Sequence, residues 1–227
     1  MFQLVTLQDH IALPPSSVAK HVAIRRAVNA RYANRVIPDV GLCIAHANTL
    51  EATTGIVLPS DPNVHSTVSF QIAVFRPIMS EVIVGRIRAC HETKGIFVTM
   101  DFFDDIIIPP EHLPENSFWD ANAQLWCWRY NQQDLENTAF ELPFLIGAKC
   151  RFRVINESFR NDAHQAKLDS IRRRTTSMSA NTTEEAIQSN PASAVRQETV
   201  DVSAYLITGS MAADGLGLVD WWKDTED

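Results

Sequence analysis

The chain has 227 residues, 45% of them apolar and 21% charged, with a net charge of −7. That is length enough for one or two domains with a real core. No apolar run reaches the ~18–20 residues that cross a bilayer, so no membrane span is expected. The acidic balance has the wrong sign for a protein whose main work is gripping nucleic acid, so any such contact must be local.

The first ten residues, MFQLVTLQDH, have no basic stretch before their apolar positions and read as a strand over 2–8, not a signal peptide. Pro14 and Pro15 end the connection, Ser16 or Ser17 can cap the next segment, and a helix is expected from Val18 to Arg35. Val18 and Val22, then Ile24, Val28 and Tyr32, recur four apart and define its buried stripe. Between His10 and Pro38 there is no acid, while Lys20, Arg25, Arg26, Arg31 and Arg35 are basic. The helix should present these five cations opposite its buried stripe, either to water or to an acidic partner. VGLCIAH (40–46) is a hydrophobic strand, and Gly55, Pro59, Asp61 and Pro62 mark turns around a short strand at Ile56–Leu58. From Thr67 to Phe75 the chain alternates, with Val68, Phe70, Ile72 and Val74 set against Thr67, Ser69 and Gln71. Residues 1–79 thus form a strand–helix–strands domain, with Pro77 at the join.

The second domain, 80–227, opens with three strands in quick succession. Ile83, Ile87 and Ala89 alternate with Arg86 and Arg88; a polar turn ends at Gly95; Ile96, Val98 and Met100 then alternate with Phe97 and Thr99. Period two buries one face and leaves the other to meet a ligand. Two arginines beside a phenylalanine supply cations for phosphate and a plane for a base, as single-stranded nucleic acid requires. Three such strands closed by Pro109 and Pro110 begin a small OB-type barrel; a β-sandwich with surface arginines is the plainer alternative. EHLPENSFWD reads as loop or short helix, and LWCWRY (125–130) as a strand with Trp126, Trp128 and Tyr130 on one face. KCRFRVINESF (149–159) points Phe152 and Val154 inward and Arg151 and Arg153 outward. Residues 160–199 are polar, without aromatics or glycine, and read as a disordered insertion that includes the basic triplet Arg172–Arg174 before Thr175, Thr176 and Ser177. YLITGS (205–210) is the last strand. The terminal GLGLVDWW should pack Trp221 and Trp222 against the barrel or a partner, since two tryptophans left in water would expose a large apolar patch.

Catalytic signatures are missing. Asp101, Asp104, Asp105 and Glu111 are the one dense carboxylate cluster, with no neighbouring histidine or lysine among the aspartates to complete an acid–base or metal site. The seven histidines show no ligand spacing, and there is no P-loop, GxGxxG or GxSxG. Cys43, Cys90, Cys127 and Cys150 form no CxxC or CxxH pair, which argues against a zinc site and a disulfide framework and for a reducing compartment. No metal and no cofactor is expected.

VGLCIAH (40–46), AVFRP (73–77), GRIRAC (85–90), GIFVTMDFFDDIIIPPEHLP (95–114), LWCWRY, RFRVINESF (151–159) and GLGLVDWW, recurring in that order, closely resemble one family. It is the stalk subunit of nuclear RNA polymerase III, related to the seventh subunit of RNA polymerase II and to the archaeal stalk protein. The resemblance covers Met1 to about Trp222, apart from the insertion. It implies an α+β N-terminal truncated ribonucleoprotein-like domain followed by an all-β OB barrel of the ribosomal S-one type. It implies a nuclear, non-catalytic subunit that pairs with a small helical stalk subunit, joins the polymerase III core, works with initiation factors at promoters of small non-coding RNAs, and contacts nascent RNA. On that reading the RNA-binding candidates are Arg86, Arg88, Phe97, Arg151 and Arg153, and the polymerase-docking candidates are Lys20, Arg25, Arg26, Arg31 and Arg35. One departure stands out. His91-Glu92-Thr93-Lys94 and Ile108-Pro109 replace an aromatic and a histidine that RNA-binding barrels of this type often carry. A free single-stranded RNA-binding factor in translation or RNA decay is the competing reading, but such a binder should be basic.

Overall fold

The computed structural model describes residues 1–15, 19–131, 139–159 and 203–222, and the chain divides into two compact units, Met1–Ile78 and Met79–Asp227. The first unit runs β1 (Phe2–Leu13), α1 (Lys20–Tyr32), β2 (Arg35–Ile37), β3 (Gly41–Ala52), β4 (Ile56–Leu58) and β5 (Asp61–Phe75). Its sheet has the order β1-β5-β3-β2, with β4 also paired to β5, and every pairing is antiparallel. Val68, Phe70, Ile72 and Val74 line the face of β5 that meets Ile24 and Val28 of α1, and all six are buried. Each such side chain contributes about 1.5–3 kcal/mol when removed from water.

The strand at the N-terminus is longer than its sequence suggested, because Ile11 and Leu13 carry the inward alternation past Asp9 and His10 into the same core. The helix is shorter. Ser16 and Ser17 lie outside the described residues, and Ala19 occupies the cap position without a side-chain hydrogen bond. At the other end Asn34 takes a left-handed φ of 59°, which turns the chain into β2. Arg35 is therefore a strand residue, not a helical one.

The second unit contains β6 (Val82–His91), β7 (Gly95–Thr99), β8 (Ile106–Ile108), β9 (Ser117–Asp120), β10 (Leu125–Asn131), β11 (Ala139–Pro143), β12 (Lys149–Phe159), β13 (Tyr205–Ser210) and β14 (Gly217–Leu218). The main sheet runs β13-β8-β7-β6-β12-β14, and an added β12–β13 pairing closes five of these strands into a barrel. β12 can serve both neighbours because of its length: Lys149–Arg153 pair with β6, and Arg153–Phe159 pair with β13 across an irregularity between Val154 and Asn156. β8 and β13 are parallel, as the OB strand order requires. Ile83, Ile87, Ile96, Val98, Ile106, Ile108, Phe152, Val154 and Ile207 are buried in this unit. Gly95 makes the first hairpin possible, since its φ is +90° and a Cβ there would run into the Ile108 carbonyl.

β9, β11 and β14 of this unit, like β2 of the first, were not legible as strands in the sequence. β9 and β11 flank β10 in a three-stranded antiparallel sheet. β9 has four residues, preceded by Pro114 and Asn116, too few to show alternation beside such strong turn signals. The 160–199 insertion, with Arg172–Arg174, lies outside the described residues.

Candidate nucleic-acid interface

β6 and β12 are antiparallel neighbours, and their register decides which outward side chains meet. Lys149 lies opposite Arg86, Arg151 opposite Val84 and Arg153 opposite Val82. The alternating burial along both strands puts all six on the outer face of the barrel, over the inward Ile83, Gly85, Ile87, Cys150, Phe152 and Val154. Four of the five sequence candidates, Arg86, Arg88, Arg151 and Arg153, thus fall on the outer face of one strand pair. Arg88 is partly neutralised by Asp104 at 3.6 Å, and Asp104 also accepts a hydrogen bond from Thr99. Arg86, Arg151 and Arg153 have no ion-pair partner among the described residues.

Lys149 was missed, although its signal was present: it has the same parity as Arg151 and Arg153. Its position directly across from Arg86 matters, because like charges opposed on adjacent strands destabilise a sheet. An anion laid over the row relieves that repulsion. Beside it Arg86, Thr99, Met100, Asp101, Val84 and Lys149 line an open groove of about 290 Å³.

Phe97 does not belong to this face. It is 8% exposed, and its neighbours Ile96 and Val98 are 0% exposed, so β7 is covered on both sides. The three-stranded sheet reaches the same hairpin: the Trp126 indole donates to the His91 carbonyl at 3.1 Å, and the Cys90 thiol donates to the Phe144 carbonyl at 3.8 Å. Period-two alternation marks a residue as facing away from the barrel interior, and cannot reveal that a second layer of protein lies there. No base can stack on a buried ring, so the assignment of Phe97 to RNA is withdrawn.

The five proposed docking cations are all exposed, yet they do not form one stripe. Arg31 is held at the β1 side by Asp9 at 2.8 Å and donates to the His10 carbonyl at 3.2 Å. Arg25 lies toward β3, where its charge adds to burial in lowering the His46 pKa. Arg35 has left the helix. Exposed apolar residues gather elsewhere in this unit, with Leu50 at the end of β3 and all of β4, Ile56, Val57 and Leu58, between 46% and 66% exposed.

The four thiols are free. Burial pushes each of them up, Cys150 to about 12, which keeps them protonated and poor as nucleophiles or metal ligands at neutral pH. Trp221 packs edge-on against Phe144 at 4.8 Å and against Trp128 at 5.4 Å, while Trp222 remains 39% exposed and donates its indole N–H to the Leu216 carbonyl.

The family described as "RNA polymerase III subunit Rpc25" matches residues 81–222, the whole described barrel with its three-stranded sheet and terminal tryptophans. The chain belongs to the RNA polymerase III Rpc25 family. The "SHS2 domain found in N terminus of Rpb7p/Rpc25p/MJ0397" matches residues 8–62, so this Rpc25-family chain combines an SHS2 domain with an OB-like barrel. Its similarity to "DNA-directed RNA polymerase III subunit RPC8" of Bos taurus is 33% identity over 99% of this chain and 100% of that protein. The proteins of the same name in Schizosaccharomyces pombe and Saccharomyces cerevisiae are 32% and 30% identical, each over 98% of this chain and 100% of their own length.

Proposed function

We propose that this Rpc25-family chain is a non-catalytic stalk subunit of nuclear RNA polymerase III that supports promoter-directed initiation and meets the emerging transcript with the outer face of β6 and β12. The observation that carries the RNA contact is the row Arg86, Lys149, Arg151 and Arg153 on the outer face of two paired strands in a chain of net charge −7. Such a face is built for phosphate: the cations are present and the one expected stacking ring is buried. Contact is therefore weak in isolation and independent of base identity. A subunit held on the polymerase does not need tight binding, because tethering raises the local transcript concentration to the millimolar range.

Docking to the polymerase core is assigned to the first unit, where Leu50 of β3 and Ile56, Val57 and Leu58 of β4 are exposed apolar residues, with the cations of α1 as a second contact. A small helical stalk subunit completes the heterodimer. The reading is non-catalytic because the thiols are held neutral and Asp104 is engaged by Thr99 and Arg88. The test is to purify the tagged chain from nuclei and identify what accompanies it. The large polymerase III subunits in stoichiometric amounts are expected; RNA or translation factors without polymerase would favour the free RNA-binding reading.

A further inference from the structure

β1 is the edge of the first unit's sheet, and its outer side is open in a way that its inner side explains. Thr67, the partner of His10, directs its backbone N–H and C=O to Thr53, away from β1. The His10 N–H is taken by its neighbour's Asp9 carboxylate and its carbonyl by Arg31. His10 therefore belongs to the set of β1 residues whose backbone groups point off the sheet. In an antiparallel ladder that set recurs every second residue, so Leu4, Thr6 and Gln8 point the same way. No hydrogen bond occupies their outward groups among the described residues.

Natural edge strands are blunted with lysines, prolines, bulges or short length. Over Phe2–Gln8, β1 has no charge and no proline, and its pairing with β5 runs Phe2 to Leu13 without a register shift. Only the far end is closed, by Asp9 and Arg31. Leu4 is 62% exposed on the open stretch. On the helix side the core has an unfinished rim, since Val5, Leu7, Ala23 and Ala27 are only partly buried against it.

We propose that Leu4–Gln8 is a strand-addition site, taking an extended segment of a second, different polypeptide as a further strand beside β1. The chemistry of the occupant follows from its surroundings. Alternate apolar residues would cover Val5, Leu7 and the small Ala23 and Ala27, and a carboxylate beside them would meet the exposed Lys20 at the start of α1. A second copy of this chain fits poorly: antiparallel β1–β1 pairing sets the two α1 helices side by side on one face, cation against cation.

Residue-resolved amide exchange on the purified polymerase and on the isolated full chain tests this. In the free chain the Leu4, Thr6 and Gln8 amides should exchange fast and those of Val5 and Leu7 slowly; in the polymerase the former three should slow by roughly tenfold or more. A photo-crosslinking side chain placed at Thr6 should join a peptide of another subunit. Thr6→Pro removes an outward N–H without touching the β5 ladder; it should retain the melting temperature and abolish the protection of the Leu4 and Gln8 amides in the polymerase, and L4K/Q8K, read at Thr6, serves if the proline unfolds the strand. Fast exchange at all three positions in a polymerase that contains the chain would overturn the proposal while leaving its subunit role intact. Concentration-dependent protection in the isolated chain would overturn it in favour of self-pairing.

Discussion

Tyr32 shows how one side chain ties sequence-distant elements together. It ends α1, its hydroxyl donates to the Asp9 carboxylate at 2.6 Å, and its ring lies 5.6 Å from Phe70. Burial first, then the bond to Asp9, raises its pKa from 10.0 to about 12. A raised value means that the protonated hydroxyl stabilises the fold fully below pH 10, and that this contribution fades as pH climbs through about 12. Ultraviolet titration should show Tyr32 ionising near pH 12 instead of 10, and Tyr32→Phe should remove that step and about 1 kcal/mol of stability. Phe97 belongs to the same scale. Buried at 8% exposure, it should report as a folding residue: Phe97→Ala is expected to cost about 3–5 kcal/mol in denaturant titration. A loss below about 1 kcal/mol would show that the ring is dispensable to the core.

At the scale of elements, alternation was the legible signal. It located β5, β6, β7 and β12 and inward residues of each, because period two reports directly on which side of a strand is apolar; β13 was legible only as an apolar run after the polar insertion. It also brought Arg151 and Arg153 to one face with Arg86, which no local motif could have done. What it could not carry was the second layer. β9 and β11 are short, interrupted by turn residues, and acquire their structure from pairing with β10. The burial of Phe97 was hidden for the same reason, and so was the pairing of Arg31 with Asp9, whose carboxylate arrives from another strand. The terminal tryptophans divide in the same spirit. Trp221 is packed between Phe144, Trp128 and Gly217, whereas Trp222 keeps one bond and an exposed ring. Trp221→Ala should therefore lower stability by about 2–3 kcal/mol and Trp222→Ala by about 1 kcal/mol, a difference of several degrees in melting temperature. Equal losses would mean that both rings are buried alike.

At the scale of the molecule, an acidic chain carries one basic strand pair and an uncharged sheet edge, which suits a subunit that works inside an assembly. The family assignment accounts for that balance: a free binder needs charge of its own, while a tethered one needs only a few cations in the right register. The most direct measurement is crosslinking of nascent RNA to this chain in transcribing polymerase III, comparing wild type with R86E/K149E/R151E/R153E at equal subunit occupancy. Several-fold lower crosslinking is expected in the variant, with the wild-type yield falling as salt rises by a logarithmic slope of about −0.7 for each phosphate contacted. Equal yields from the two proteins at matched salt would contradict the assignment of the β6–β12 face to RNA.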